Sequence, residues 1–262
     1  MTLLWHEVRR NGKSLLIWAC SVGLLSAGCL LLFQGLEESM GEMSEAFANM
    51  GMFATVLGMD KLSIGTMEGF YATEIALLYA IGGAMFAAMT GVALLSKEEE
   101  GHTSEFLHTL PLGRAYIVGW KYASLVVLVV SYNALCLAWI LLGFAGAGQM
   151  PPVKEFACYH GVQLLMHLEV GSVCYLASSL WKRRQTGAAL GFAMLLYVAD
   201  LLCRILPDME GLKYVTPFYF SNGTDIFVEG RADGGLLLIA GCVILVSVLG
   251  AVAVYRRRDL AA

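Results

Sequence analysis

The sequence predicts an all-α membrane protein with six transmembrane helices, and three observations carry that expectation. Hydrophobic residues make up 58% of the 262 residues and charged residues only 15%, against about 25% charged in a soluble domain. The apolar residues are gathered into long runs rather than scattered. The lysines and arginines lie mostly at the ends of those runs, and mostly on alternate ends.

A bilayer core is crossed by about 20 apolar residues of helix, each rising about 1.5 Å. Residues 14–33, 75–95, 122–148 and 234–255 contain no charge at all. Residues 156–180 contain one glutamate, and 185–206 one aspartate and one arginine. The six spans are therefore expected at about 14–34, 74–96, 117–143, 156–180, 185–206 and 234–255, within one transmembrane domain covering residues 1–262. None of the runs alternates as a barrel strand would. The first run is too long for the apolar stretch of a signal peptide, and no small-residue cleavage site follows it.

Orientation follows from the positive residues. With the N-terminus inside, the inner segments hold Arg9, Arg10, Lys13, Lys97, Arg114, Lys121, Lys182, Arg183, Arg184, Arg256, Arg257 and Arg258. The outer ones hold Lys61, Lys154, Arg204, Lys213 and Arg231, which completes the 17. Both termini are expected in the cytoplasm. Most acidic residues fall outside, consistent with a net charge of −4.

Residues 1–13, MTLLWHEVRRNGK, read as an amphipathic helix lying at the inner interface. Leu4, Trp5, Val8 and Gly12 share one arc, and His6, Arg9, Arg10 and Lys13 the other. A plain positive flank to the first span is the alternative. The outer segment 34–74 is acidic, and Met40, Met43, Phe47 and Met50 recur at helical steps. Thioethers suit cuprous ion, but methionine at this spacing is more often packing material.

Between the second and third spans lies SKEEEGHTSEFLHTLPLGR, residues 96–114. Gly101 can close the second span as a left-handed cap. Thr103 or Ser104 can cap a short helix whose apolar members are Phe106, Leu107 and Leu110, and Pro111 stops it. Glutamates beside anionic lipid are unfavourable, so a cytoplasmic helix with an apolar stripe bordered by Glu99, Glu100 and Glu105 reads as a protein docking site.

Catalytic signals are missing. NGKS at 11–14 lacks the glycine a phosphate-binding loop requires, since Glu7 stands there. HEVRR at 6–10 has no second histidine in place. His160 and His167 read as satisfied side chains rather than a metal site. The seven cysteines form no CxxC, so neither a disulfide framework nor a zinc site is expected. The remaining polar signals are intramembrane. Asp200 and Arg204, one turn apart, read as a structural pair. Glu169, with no neighbour on its face to neutralise it, reads as a candidate for the translocation path.

With these residues in view, the sequence resembles the permeases of type-2 ATP-binding-cassette exporters. The likeness rests on LLWHEVRRNGKSLLIW, on EEEGHTSEFLHTLPLGRAYIVGWK, on TPFYF before the last span and on the ending YRRRDL. It implies that Glu99, Glu100, Gly101, Thr103, Glu105, Phe106, Leu107, Pro111 and Arg114 belong to a cytoplasmic coupling helix that contacts an ATPase. Phe106 departs from the leucine that is common there. The resemblance further implies export driven by separate ATPase chains that carry ATP and Mg, a second permease chain, and a bacterial cell membrane. This chain would itself bind no cofactor, catalyse nothing and have no nucleic-acid partner. The alternative is a secondary transporter with an intramembrane carboxylate site, against which stand the missing internal repeat and the absence of broken spans in matching positions.

Overall fold

The computed structural model describes residues 2–101 and 113–257. All regular structure among them is helical. The long helices are α1 (Thr2–Ala48), α4 (Ala76–Glu100), α5 (Arg114–Gly146), α6 (Val153–Leu180), α7 (Thr186–Ile205) and α10 (Gly234–Arg257). Short α2 (Met52–Leu57) and α3 (Met67–Phe70) precede a π-helical turn, Tyr71–Ile75, that runs straight into α4. A 3-10 segment, Pro207–Tyr214, leads to α8 (Pro217–Phe220) and α9 (Gly223–Glu229).

Five stretches are long and apolar enough to cross a membrane: Leu3–Ser44, Met67–Glu100, Arg114–Gly146, Thr186–Ile205 and Gly234–Arg257. The expected fourth span falls in α6, which is long enough but more polar. Its Gln163, His167, Ser172, Ser178 and Ser179 are all buried against other helices, so lipid does not select that face. Elsewhere large apolar side chains such as Leu32, Leu238, Val246 and Leu249 stand exposed, as suits a hydrocarbon surrounding.

Helices associate closely where side chains are small. A Cβ added at Gly23 would meet Trp139 Cδ1 at 2.6 Å, and one at Gly143 would meet Ala27 Cα at 2.8 Å. These contacts lay α5 along α1. Gly83 stands against the His167 ring and Gly91 against the Gly171 carbonyl, which brings α4 onto α6. α10 packs along α6 and also meets α5.

Three boundaries differ from the sequence-based expectation. Helix α1 runs unbroken from Thr2, so residues 1–13 are not set off as a separate element. Glu7 is buried while Arg9, Arg10 and Lys13 are exposed, and so is Trp5 of the expected apolar arc. Helix α1 also continues to Ala48, and the second membrane-length stretch begins at Met67 rather than near residue 74. Thr66 starts it by accepting a hydrogen bond from the Gly69 amide at 3.1 Å. Gly101 does cap α4, but with φ −86°; this is not the left-handed cap expected. The cap amide instead bonds Lys97 O at 3.0 Å.

The segment after α7 does not lie as a loose loop. Thr216 Oγ1 donates to Leu196 O at 2.6 Å, halfway along α7. Gln163 Nε2 donates to Ser221 O at 2.6 Å, well inside α6. Pro217, Phe218 and Phe220 are buried, so α8 is drawn into the bundle beside the long helices.

Candidate functional site

One end of the bundle, the basic end, carries Arg9, Arg10, Lys97, Arg114, Lys182, Arg183, Arg184, Arg256 and Arg257. Just inside it, α1, α4 and α5 meet in a buried ion cluster. Lys97 Nζ donates to Glu7 Oε2, and Lys121 Nζ donates to Glu98 Oε2. Lys121 Nζ also lies 3.3 Å from Glu7 Oε1 and 2.6 Å from Leu94 O. The Lys121 side chain is 0% exposed and that of Glu7 1%. Two carboxylates and two ammonium groups balance. A buried charge is tolerated when its partner and hydrogen bonds are in place, and is costly when one partner is removed.

Sequence reasoning treated Lys97 and Lys121 as members of the positive rim and Glu7 as part of an interfacial helix, and so did not bring them together. A signal was present. Lys121 sits two turns inside an apolar helix, where it needs a counter-charge, and Glu7 is the one acid among the first thirteen residues.

This cluster borders the stretch between α4 and α5. Beyond it, Arg184 holds Glu100 three times, with Nε donating to Oε2 at 2.9 Å, Nη2 to Oε1 at 3.2 Å and the backbone amide to Oε2 at 2.8 Å. Hydrogen bonding to Glu100 raises the Arg184 pKa further. On the other flank, Arg114 Nη1 donates to Arg256 O at 3.2 Å. Glu99 is half-buried at the end of α4, and Gly101 follows as its cap. Thr103, Glu105, Phe106, Leu107 and Pro111 lie outside the described residues.

Glu169 stands in the middle of α6, 7% exposed, and its Oε2 has no hydrogen-bond partner. It borders a cavity of about 10 Å³ shared with Lys213, Tyr214, Thr216, Pro217, Phe220 and Ala240, Lys213 itself being paired with Glu210. The carboxylate thus faces the drawn-in segment before and within α8. Nearby imidazoles are engaged: His160 Nε2 is 2.9 Å from Tyr71 Oη, and His167 Nδ1 is 3.1 Å from Asn133 Oδ1.

Toward the opposite end, Arg204 Nε lies 3.0 Å from Asp200 Oδ1. The same guanidinium donates to Asp225 Oδ2 at 2.8 Å and Tyr219 O at 3.2 Å, and sits 4.9 Å above the Tyr219 ring. Asp225 in turn accepts from Lys61 at 2.7 Å. Burial raises the Asp225 carboxyl, but Arg204 and Lys61 together hold it below the ordinary aspartate value. The sequence pointed to Asp200 and Arg204 alone. Lys61 and Asp225 are 164 positions apart, and no spacing rule links them.

These geometries are held together by buried ion pairs and hydrogen bonds. They are ion locks and helix contacts within a set of membrane-length helices. No curated protein matches the chain. A family model described as "ABC-2 family transporter protein" matches residues 1–260. With that match running almost from end to end, over helices of the right length and apolarity, the chain belongs to the ABC-2 family of membrane transporter permeases.

Proposed function

We propose that the chain is the membrane-spanning permease subunit of an exporter whose energy comes from ATP hydrolysed on a separate ATPase chain. The observation that supports this most is the build of the basic end. Glu7, Lys97, Glu98 and Lys121 tie three helices together immediately before the stretch 102–112. Glu100–Arg184 and Arg114–Arg256 tie its two flanks to the remaining helices. A push on that stretch would therefore reach most of the bundle as one body. In this reading Glu99, Glu100, Gly101, Thr103, Glu105, Phe106, Leu107, Pro111 and Arg114 form the docking helix for the ATPase, which carries the ATP and Mg.

The same reading makes residues 1–262 one transmembrane domain with α6 as the fourth of six spans. In this reading both termini are cytoplasmic, which the surplus of Lys and Arg at the basic end supports, and the membrane is that of a bacterial cell. A second permease chain completes the path, which Glu169 borders.

The test is to isolate the tagged chain from its own membranes with the ATPase bound and to measure ATP hydrolysis. Phe106→Asp with Leu107→Asp should release the ATPase while the permease keeps its melting temperature. Unchanged co-purification would move the docking site elsewhere. Transport that continues without ATP would favour the secondary-transporter alternative.

A further inference from the structure

A second, separate site lies along the other half of the molecule. The methionine stripe of the acidic segment does not close into a solid core. Met40, Met43 and Met59 line an open slot of about 440 Å³, together with Leu25, Phe70 and Leu78. That volume falls in the range of small-molecule sites, roughly 300–1,000 Å³. Its α1 lining runs from Leu25 to Phe47, about six helical turns. The slot is thus long and narrow rather than round. Thioether side chains adapt to irregular occupants.

One charged residue stands in this apolar lining, Glu74. It sits on the π-turn Tyr71–Ile75, a feature that often marks functional positions. The turn buries Tyr71, Ala72, Thr73 and Ile75 but leaves Glu74 exposed at the slot. No lysine, arginine or histidine lines the slot, and no salt bridge among the described residues includes Glu74. A carboxylate at apolar depth calls for a partner, and the slot has room to admit one from outside the chain.

We propose that this slot binds a single-chain organic cation, with the alkyl tail among Met40, Met43, Met59 and Leu78 and the ammonium head at Glu74. A neutral chain would fill the same space but leave the carboxylate unpaired. An anionic chain would be repelled by it. The proposal needs the slot to face the membrane but does not need an ATPase, so it stands or falls apart from the export reading.

The test uses the full-length chain alone in phosphatidylcholine nanodiscs, titrated with dodecyltrimethylammonium, dodecanol and dodecyl sulfate, with empty nanodiscs subtracted. Saturable binding of the cation is expected, with dodecanol about tenfold weaker and the sulfate weaker still, one factor of ten being about 1.4 kcal/mol. Glu74→Gln should remove the advantage of the cation over dodecanol, while Glu74→Asp keeps most of it. Leu25→Trp, at an exposed position lining the slot, should fill it and weaken both ligands with the melting temperature unchanged. Equal binding of cation and dodecanol by the parent protein would overturn the proposal. So would a Glu74→Gln variant that still prefers the cation, or no saturable binding above empty nanodiscs.

Discussion

Glu7 and Glu169 are both glutamates on long helices, both almost out of reach of solvent, and they are held in opposite ways. Glu7 has two ammonium partners from two other helices. Glu169 has none for its Oε2 and faces the drawn-in segment around Pro217. The first arrangement locks geometry, because moving any one helix would strand a charge. The second leaves a carboxyl group that gains by meeting water, a proton or an incoming group. The contrast separates a carboxylate fixed by two ion pairs from one whose Oε2 is left without a hydrogen-bond partner.

The comparison would break most visibly at Glu7. Glu7→Gln leaves Lys97 and Lys121 to share Glu98, and stranding a buried charge costs about 3–5 kcal/mol. A large drop in melting temperature or in folded yield is expected. Glu7→Gln combined with Lys97→Met should recover part of that loss, since the charges balance again. Losses that simply add would mean the cluster is not a unit.

A smaller effect is expected at the other ion lock. Arg204→Ala strands Asp200 and leaves Asp225 with Lys61 alone, so it should destabilise more than Asp200→Ala. The double variant should show a coupling of about 0.5–3 kcal/mol. Acid probes the same lock. Asp225 has a folded pKa below its ordinary value, so its contribution is fully present above the unfolded value, about pH 4, and is lost as pH falls through the folded one. Melting temperatures of the parent should therefore fall more steeply below about pH 4 than those of Asp225→Asn.

The smallest change in stability is expected at Glu169. Glu169→Gln keeps size and hydrogen-bonding capacity and removes no salt bridge seen among the described residues, so its effect on stability should be smaller than that of Glu7→Gln or Arg204→Ala. Transport, or substrate-stimulated ATP hydrolysis in the assembled exporter, should change nonetheless. Parental transport and stimulation would reduce Glu169 to a packing residue, and the contrast with Glu7 would lose its functional half.

Much of the fold is legible in the chain because a bilayer imposes length and polarity directly on sequence. The uncharged runs at 14–33, 75–95, 122–148 and 234–255 all lie largely within long helices. α6 is the informative exception. Its polar residues weaken the apolar signal, yet they are buried by α4, α5 and α8 rather than by lipid. Helix ends were less legible. Residues 13–14 and 34–48 carry no proline or capping box strong enough to stop α1, and only the contacts of Glu7 and of Gly41 with Gly65 show how far it extends.

By itself, then, the sequence determined that this is a helical membrane protein and which runs are apolar enough to span. Those properties are local sums over neighbouring residues. The tertiary structure alone decided that Glu7 meets Lys97 and Lys121, that Arg204 is shared between Asp200 and Asp225, and that the methionines of α1 border an open slot at Glu74. Apart from Asp200 and Arg204, one turn apart, each of these joins residues at least 21 positions apart along the chain. Electrostatics and packing act through distance in space, and only the folded arrangement of helices sets that distance.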